Sequence, residues 1–157
     1  MSQDELNQTK LEEFGGRAID ILNKGALAVM MSVGHRTGLF ETLASLPAST
    51  THEIADAAGL QERYVREWLG AMVTGNIVEH DRDAATYSLP AEHAAFLTPA
   101  AQTNNIANFA QLIPLISNVE DEIVECFRHG GGVPYSTYKR FPEVMRELSA
   151  PTFDVLL

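Results

Sequence analysis

The fold is decided by residues 49–89, which read STTHEIADAAGLQERYVREWLGAMVTGNIVEHDRDAATYSL. Thr50 or Thr51 can cap a short helix, and Glu53 stands in its first turn, where a carboxylate meets the positive end of the helix dipole. This helix is predicted over roughly residues 52–58, and Gly59 then supplies a residue that adopts positive φ at a sharp turn. Its inward-facing side chains are Ile54, Ala55 and Ala58.

A second helix is predicted from about Gln61, ending at Gly75 and Asn76. Its apolar residues recur at spacings of three and four, which is the pattern of one helical face: Val65, Trp68, Leu69 and Met72. Two short strand candidates follow at residues 77–80 and 86–89, joined by the turn-forming residues 81–83. Two helices crossing through a tight turn, followed by a two-stranded antiparallel wing, predict a winged helix-turn-helix.

The charge of this unit argues against DNA as its partner, although a winged helix often places its second helix in the major groove. The chain has a net charge of −10, and residues 50–90 contain three arginines against seven acidic residues. DNA binding depends on basic side chains that neutralise phosphates and release counterions. The predicted wing carries Glu79, Asp81 and Asp83 instead.

The composition also indicates the cellular compartment of the protein and limits the metal and catalytic sites that it can form. Cys126 is the one cysteine, no signal peptide is visible, and the longest apolar run, residues 26–33, is far shorter than the ~20 residues that span a bilayer. We therefore expect a cytoplasmic protein with no membrane segment. Cys126 and His129 lie three residues apart, but two ligands do not make a zinc site, and no catalytic, cofactor-binding or metal-binding residue is predicted.

The segments before the wing are helical by pattern. Residues 4–24 predict an amphipathic helix, with Gly15 and Gly16 as a weak point or a close helix contact. Residues 25–36 are apolar all round and predict a second helix that is buried on every side. A chain this small has little interior to surround such a helix, so we expect another subunit or domain to cover part of it.

The segments after the wing are also mainly helical. Residues 91–97 predict a short helix, and residues 105–129 a long one that Pro114 kinks or splits. Gly130 to Gly132 end it, residues 133–138 form an aromatic loop, and a last helix begins at Phe141. The predicted fold is mainly α, with a helical dimerisation and winged-helix domain at 1–98 and a helical extension at 99–157. The apolar end at Leu157 has no cap, and we expect a catalytic domain beyond it.

This order of features resembles the N-terminal region of a class I S-adenosylmethionine-dependent methyltransferase that carries a winged-helix dimerisation domain. The resembling stretches are GLFETL at 38–43, the helix-turn-helix at 51–68, the wing at 77–89, and GGGVPYSTY at 130–138. The resemblance implies a homodimer joined through N-terminal helices, a wall of the small-molecule substrate pocket, and S-adenosylmethionine bound by a separate Rossmann-like domain. No Gly-x-Gly turn after a strand occurs here, so this chain alone is expected neither to bind the methyl donor nor to transfer a methyl group.

The aromatic loop provides the candidate site residues Tyr135, Ser136 and Tyr138. Two phenols and a hydroxyl on a glycine- and proline-containing loop offer apolar area and hydrogen bonds to an aromatic substrate, so the loop is a candidate substrate lid. The ordinary interpretation is that these residues pack on a neighbouring domain as a linker.

Two functions of different classes follow. The first is a dimerisation and substrate-capping domain of a methyltransferase that is not catalytically competent by itself. The alternative is a winged-helix transcriptional regulator, in which Arg63, Tyr64 and Arg66 of the second helix contact DNA despite the flanking Glu62 and Glu67.

Overall fold

The computed structural model describes residues 6–99 and 105–154 of the chain. As predicted, the fold is mainly α with a two-stranded antiparallel sheet. In chain order the elements are α1 Gln8–Thr37, α2 Leu39–Ser45, α3 Thr51–Ala58, α4 Glu62–Thr74, β1 Glu79–Asp81, β2 Thr86–Ser88, α5 Ala91–Leu97, α6 Ile106–Phe109, α7 Leu112–Ser117, α8 Glu120–His129, a 3₁₀ turn Tyr135–Thr137, and α9 Phe141–Asp154.

The helix-turn-helix forms from the signals that the sequence provides. The N-cap of α3 is Thr50, whose hydroxyl accepts the Glu53 N–H while the Glu53 carboxylate accepts the Thr50 N–H at 2.8 Å. Gly59 has φ +66° and ends α3, its N–H bonding the carbonyls of Ala55 and Asp56. The predicted inward stripe of α4 is fully buried, because Val65, Trp68, Leu69 and Met72 are each at most 1% exposed.

Trp68 connects this unit to α1. Its indole N–H donates to the carbonyl of Met30 at 2.8 Å, and its ring packs edge-on against Phe40 with the ring centroids 5.2 Å apart. The contact with α1 is made at Gly34, where an added Cβ would lie 2.8 Å from the Phe40 ring and closer still to Trp68. Glycine at position 34 is therefore required by the packing of two aromatic rings against the α1 backbone.

The wing is a short antiparallel pair with the register Glu79↔Ser88, His80↔Tyr87 and Asp81↔Thr86. The rings of His80 and Tyr87 stack at 4.4 Å, and Ser49 makes two further backbone hydrogen bonds with Tyr87. The first strand begins two residues later than predicted. Ile77 and Val78 donate their N–H groups to the carbonyl of Met72 at the end of α4, so they continue the helix terminus instead of the sheet.

The prediction of two helices before residue 37 is wrong, because α1 runs without a break from Gln8 to Thr37. Gly25 weakens a helix by only about 1 kcal/mol, and neither a proline nor a cap interrupts the pattern around it. The amphipathic helix is predicted from residue 4, whereas α1 begins at Gln8; residues 4 and 5 lie outside the described residues. Asn7 caps α1 by accepting the Lys10 N–H.

The predicted long helix over residues 105–129 is also wrong in detail. The chain divides into α6, α7 and α8, with breaks at Ala110–Gln111 and at Asn118–Val119. Pro114 causes no kink at its own position, because it stands in the first turn of α7, where a backbone N–H has no intrahelical acceptor. The end of α8 at Gly130, with φ +75°, agrees with the prediction.

Two glycines of α1 give a matched test of the Trp68 contact. We expect Gly34→Ala to destabilise the protein by about 1–3 kcal/mol, since the new methyl group overlaps Trp68 and Phe40. We expect Gly16→Ala to stabilise it by about 0.5–1 kcal/mol, since an added Cβ there meets open space within a helix. Urea unfolding of both variants measures this, and equal effects of the two substitutions would contradict the assignment.

The cap of α3 predicts a dependence of stability on pH. Hydrogen bonds from the backbone and hydroxyl of Thr50 lower the pKa of Glu53 from its ordinary value of 4.5. A carboxyl whose pKa is lower in the folded state stabilises that state above its unfolded pKa, and the contribution is lost as the pH falls through the folded value. We therefore expect Glu53→Gln to be less stable than the native protein at neutral pH, and the difference in unfolding free energy to shrink below pH 4.5. A difference that stays constant with pH would contradict this.

Candidate functional site

Among the described residues, a largely exposed apolar surface runs along α1 from Leu11 to Val33. It consists of residues spaced three, four or seven positions apart, so that they lie along one line of the helix. We call these residues the α1 stripe: Leu11, Ala18, Leu22, Ala26, Val29 and Val33. Leu11 is 48% exposed and Leu22 is 72% exposed, and Phe14 and Ile21 beside them are 60% and 62% exposed.

The other side of α1 is the side that contacts the rest of the chain. Gly34 lies against Trp68, and the side chain of Leu27 lies against Gly75, where an added Cβ would be 2.6 Å from it. Both positions are about 100° or more around the helix axis from the stripe. Within the described residues Val29 and Val33 remain open at 38% and 39% exposure, and the cover that we expect from another subunit or domain stays a prediction.

Two glycines lie on or next to the same line, at positions 15 and 25. An added Cβ at either of them meets no atom within 4 Å. Packing within the described residues therefore gives no reason for glycine there, although each glycine costs a helix about 1 kcal/mol relative to alanine. Gly34 shows the contrast, because a contact inside the chain requires it. A partner from outside the described residues that packs closely on α1 would explain why positions 15 and 25 are glycine.

The structure brings the two predicted tyrosines together at the start of α9. The ring centroid of Tyr135 lies 5.1 Å from that of Phe141, and the ring centroid of Tyr138 lies 6.1 Å from that of Phe141. Tyr135 remains 75% exposed, Ser136 is exposed, and Tyr138 is half-buried. The loop thus presents one phenol and one hydroxyl to the outside. Its role as a substrate lid stays a prediction.

A polar cluster that no sequence pattern predicts lies at the residues next to this loop. Gln111 is 1% exposed; its amide donates to Glu147 at 2.7 Å and accepts from Arg140 at 2.8 Å. His35 of α1 lies 3.3 Å from the same carboxylate oxygen of Glu147. Hydrogen bonds from Arg140 lower the pKa of Glu143 and in turn raise the pKa of Arg140, so both groups stay charged beside the cluster.

The outward face of α4 carries the residues of the DNA-binding alternative. Arg63 is exposed and Tyr64 is 70% exposed. Arg66 donates to Glu62 at 2.7 Å, and Glu62 also accepts from the Thr51 hydroxyl at 2.7 Å. The Thr51 hydroxyl, and then Arg66, lower the pKa of Glu62, so a charged carboxylate stands beside the arginine.

The remaining candidate ligands do not converge in the described ranges. Cys126 is half-buried, and His129 Nε2 lies 3.4 Å from the carboxylate of Glu125. Among residues 6–99 and 105–154, no three histidine, cysteine, aspartate or glutamate side chains are grouped to hold a metal ion. None of the helices in these ranges has the length and apolar content that crossing a bilayer requires.

Comparison with known proteins agrees with this architecture. Residues 25–99 match the family model of the Rv2258c-like winged HTH domain. Residues 25–99 form a winged helix-turn-helix domain. No curated protein sequence shows significant similarity to the chain.

Three of the solved structures that match this fold are methyltransferases. The mitomycin 7-O-methyltransferase MmcR matches with a TM-score of 0.66 and 19% identity, over 92% of this chain and 45% of that one. Human N-acetylserotonin methyltransferase, solved with S-adenosylmethionine, matches with a TM-score of 0.64 and 13% identity, over 96% and 44%. The S-adenosylmethionine-dependent methyltransferase SibL matches with a TM-score of 0.57 and 20% identity, over 87% and 44%.

The winged-helix chain therefore spans less than half the length of the methyltransferases that it matches. At this level of identity the likeness establishes the fold. It confirms the predicted resemblance to the winged-helix region of such enzymes, and its extent is consistent with an N-terminal region.

The winged-helix domain is predicted to bind duplex DNA weakly and with little dependence on salt, because Glu62 and the acidic wing offset its arginines. Fluorescence anisotropy with a labelled duplex over a range of salt concentrations measures this, with Arg63→Ala and Arg66→Ala as comparison variants. Each phosphate contact would add about −0.9 to the slope of log K against log salt. A steep slope that both substitutions reduce would support the DNA-binding alternative instead.

Proposed function

We propose that this chain is the dimerisation and substrate-capping region of an S-adenosylmethionine-dependent methyltransferase, and that it pairs with a second copy of itself through the α1 stripe. The observation that carries the proposal is the position of the stripe. It lies on the side of α1 that faces away from α4 and Trp68, and it is apolar over the full distance from Leu11 to Val33.

The length and composition of the stripe favour a second helix as its cover. Residues 11–33 extend over about 33 Å at 1.5 Å per residue, which matches a helix-on-helix contact better than a compact pocket. Burying an exposed leucine or phenylalanine contributes roughly 1.5–3 kcal/mol. In a two-fold symmetric pair the same patch is used on both copies, so each stripe residue contributes to the interface once from each copy.

The small residues on the stripe add to this argument. Gly15, Ala18 and Gly25 leave shallow positions between the larger Leu11, Leu22 and Val29. Helix pairs approach closely where small residues of one helix face large residues of the other. A second α1 supplies both kinds of position, and it gives Gly15 and Gly25 the close contact that the chain itself does not.

Methyl transfer itself belongs, in this proposal, to a part of the enzyme other than this region. The sheet of the described residues is one antiparallel pair, β1 and β2. Gly130 to Gly132 follow the helix α8, whereas a glycine turn that binds a dinucleotide or a related cofactor follows a strand. We therefore expect this chain alone not to bind S-adenosylmethionine.

The capping part of the proposal rests on the loop that carries Tyr135, Ser136 and Tyr138. This loop leads into α9, and Tyr135 is largely exposed while its ring is held against Phe141. Within the proposal, residues 1–98 supply the dimerisation and winged-helix part, and residues 99–157 lead toward the catalytic domain with the aromatic loop at the substrate. A small molecule with an aromatic face suits two tyrosines.

The pairing is tested by charge substitutions on the stripe. We expect the native chain to sediment as a dimer at micromolar concentration, and Leu22→Glu and Val29→Glu each to raise the dissociation constant by more than about 100-fold, since a buried unpaired charge is costly. The control is Tyr64→Glu, which places the same charge on an aromatic position of α4 whose exposure of 70% matches the 72% of Leu22. A monomeric native chain, or equal effects of all three substitutions, would contradict the proposal.

The capping role is tested in the full-length enzyme. We expect Tyr135→Ala to raise the KM for the methyl acceptor by about tenfold through loss of an aromatic contact, and Tyr135→Phe to have a smaller effect. The KM for S-adenosylmethionine should stay unchanged in both. Tyr64→Ala removes an exposed tyrosine of α4 that lies 71 residues before Tyr135 in the sequence, and it serves as control. Unchanged KM and kcat for both Tyr135 variants would contradict the capping role and indicate that the loop is a linker.

A further inference from the structure

A buried amide joins two segments that are far apart in the sequence, residues 108–111 and residues 140–147. Gln111 stands between α6 and α7 and is 1% exposed. Its Nε2 donates to Asn108 Oδ1 at 2.9 Å and to Glu147 Oε2 at 2.7 Å, and its Oε1 accepts from Arg140 Nη2 at 2.8 Å. Each end of the side-chain amide therefore has a partner of the opposite polarity.

The partners fix the amide in one orientation. A half-turn would place the NH₂ group of Gln111 against the guanidinium of Arg140, and its oxygen against the oxygens of Asn108 and Glu147. The hydrogen bonds with Glu147 and Arg140 would then be lost in a buried site, where an unmade hydrogen bond is costly. Glu147 and Arg140 can thus hold only one arrangement relative to Gln111.

His35 extends this connection to α1. Its Nε2 lies 3.3 Å from Glu147 Oε2, the oxygen that also accepts from Gln111, and its side chain is 15% exposed. The other ring nitrogen, Nδ1, is buried and has no hydrogen-bond partner among the described residues. The imidazole is therefore tied to the rest of the described chain through the Glu147 contact.

The other end of the connection reaches the aromatic loop. Arg140 donates to both carboxylate oxygens of Glu143 at 2.8 and 3.1 Å, which fixes the first turn of α9. The 3₁₀ turn Tyr135–Thr137 ends three residues before α9 Phe141–Asp154 begins, and the Phe141 N–H donates to the Tyr138 carbonyl at 3.0 Å. A series of polar contacts thus runs from α1 through Glu147 and Gln111 to Arg140, and the backbone from Arg140 to Phe141 with its hydrogen bond to Tyr138 joins it to the loop.

We propose that His35, Gln111 and Glu147 are positioning residues that hold the Tyr135–Tyr138 loop in a fixed place relative to α1. Apolar packing of α9, such as that of the buried Val144, resists separation but selects an orientation only weakly. The polar connection selects one orientation because its donors and acceptors match in one arrangement. The consequence rests on the proposed function: the helix that pairs with the second copy and the loop that caps the substrate are held in register.

Hydrogen exchange on this chain tests the connection, because loop amides report local opening. The amides to follow are those of Thr137, Tyr138 and Phe141, which donate to the carbonyls of Pro134, Tyr135 and Tyr138. His35→Ala removes the contact between α1 and Glu147. Gln111→Glu keeps the shape of the side chain but replaces its donor NH₂ group with an acceptor oxygen. His129→Ala is the control, since that histidine is 73% exposed and pairs only locally with Glu125.

We expect His35→Ala and Gln111→Glu to speed exchange at the three loop amides by about tenfold or more, while the amides of α4 stay protected and His129→Ala changes neither set. Unchanged loop exchange would overturn the proposal. An equal increase in α4 would also overturn it, because the substitutions would then act by destabilising the whole domain.

A double substitution gives a second test if Gln111→Glu fails to fold. His35 and Arg140 make no hydrogen bond with each other, so His35→Ala and Arg140→Lys should multiply in their effects on loop exchange if they act independently. The proposal predicts that the double variant exchanges several-fold more slowly than that product, since either change already breaks the connection. A multiplicative result would overturn it.

The result of the hydrogen-exchange experiment does not depend on whether two copies of the chain pair. Sedimentation of the same variants reports the α1 stripe separately, because none of the substituted residues belongs to it. Unchanged loop exchange in an intact dimer rejects the connection alone, whereas altered loop exchange in a strictly monomeric native chain rejects the proposed pairing alone.

Discussion

The packing of Trp68 on the backbone of α1 at Gly34 is the contact on which the rest of the structure depends. The indole fits only because position 34 has no side chain, and its N–H donates to the carbonyl of Met30 one turn earlier. Together these contacts fix both the distance and the rotation of α1 relative to the helix-turn-helix. Once one face of α1 is turned toward Trp68, the opposite face, with Leu22 and Val29, is turned outward.

This arrangement changes what the winged helix is able to do. The inward stripe of α4 is used to anchor α1, and the outward stripe carries arginines that acidic neighbours offset, as Glu62 does for Arg66. The wing is stabilised by the stacking of His80 on Tyr87 and carries carboxylates toward its tip. A helix-turn-helix of this kind is better suited to hold a long helix in place than to approach a phosphate backbone.

The sequence predicts those parts of the fold that depend on neighbouring residues. The cap at Thr50, the turn at Gly59 and the buried stripe of α4 each rest on signals within a few positions, and the structure confirms them. The breaks around α7 were not predictable in the same way, because Ala110 and Asn118 carry no strong breaking signal and Pro114 is tolerated in a first turn. The start of β1 was misplaced because Ile77 and Val78 satisfy the end of α4 before they can enter a strand.

The candidate site also contains one feature that the sequence predicts and one that it does not. The excess of apolar residues in α1 predicts the need for cover, but only the position of Trp68 shows which face lacks it. The polar cluster was missed, since the Gln111–Glu147 contact spans 36 residues and the His35–Glu147 contact spans 112. A single glutamine within an apolar helical pattern gives no sign of partners at that distance, and its importance follows from burial alone.

A distance measurement between two copies shows whether a second copy covers the outward face of α1. A spin label at Asn23→Cys, with Cys126→Ser removing the native thiol, stands at an exposed polar position of α1, about 100° around the helix axis from Leu22 of the stripe. We expect a dipolar interaction at micromolar concentration, with distances within the ~45 Å length of a 30-residue helix, that Leu22→Glu abolishes. No dipolar interaction between copies at that concentration, in a chain that is otherwise folded, would contradict it.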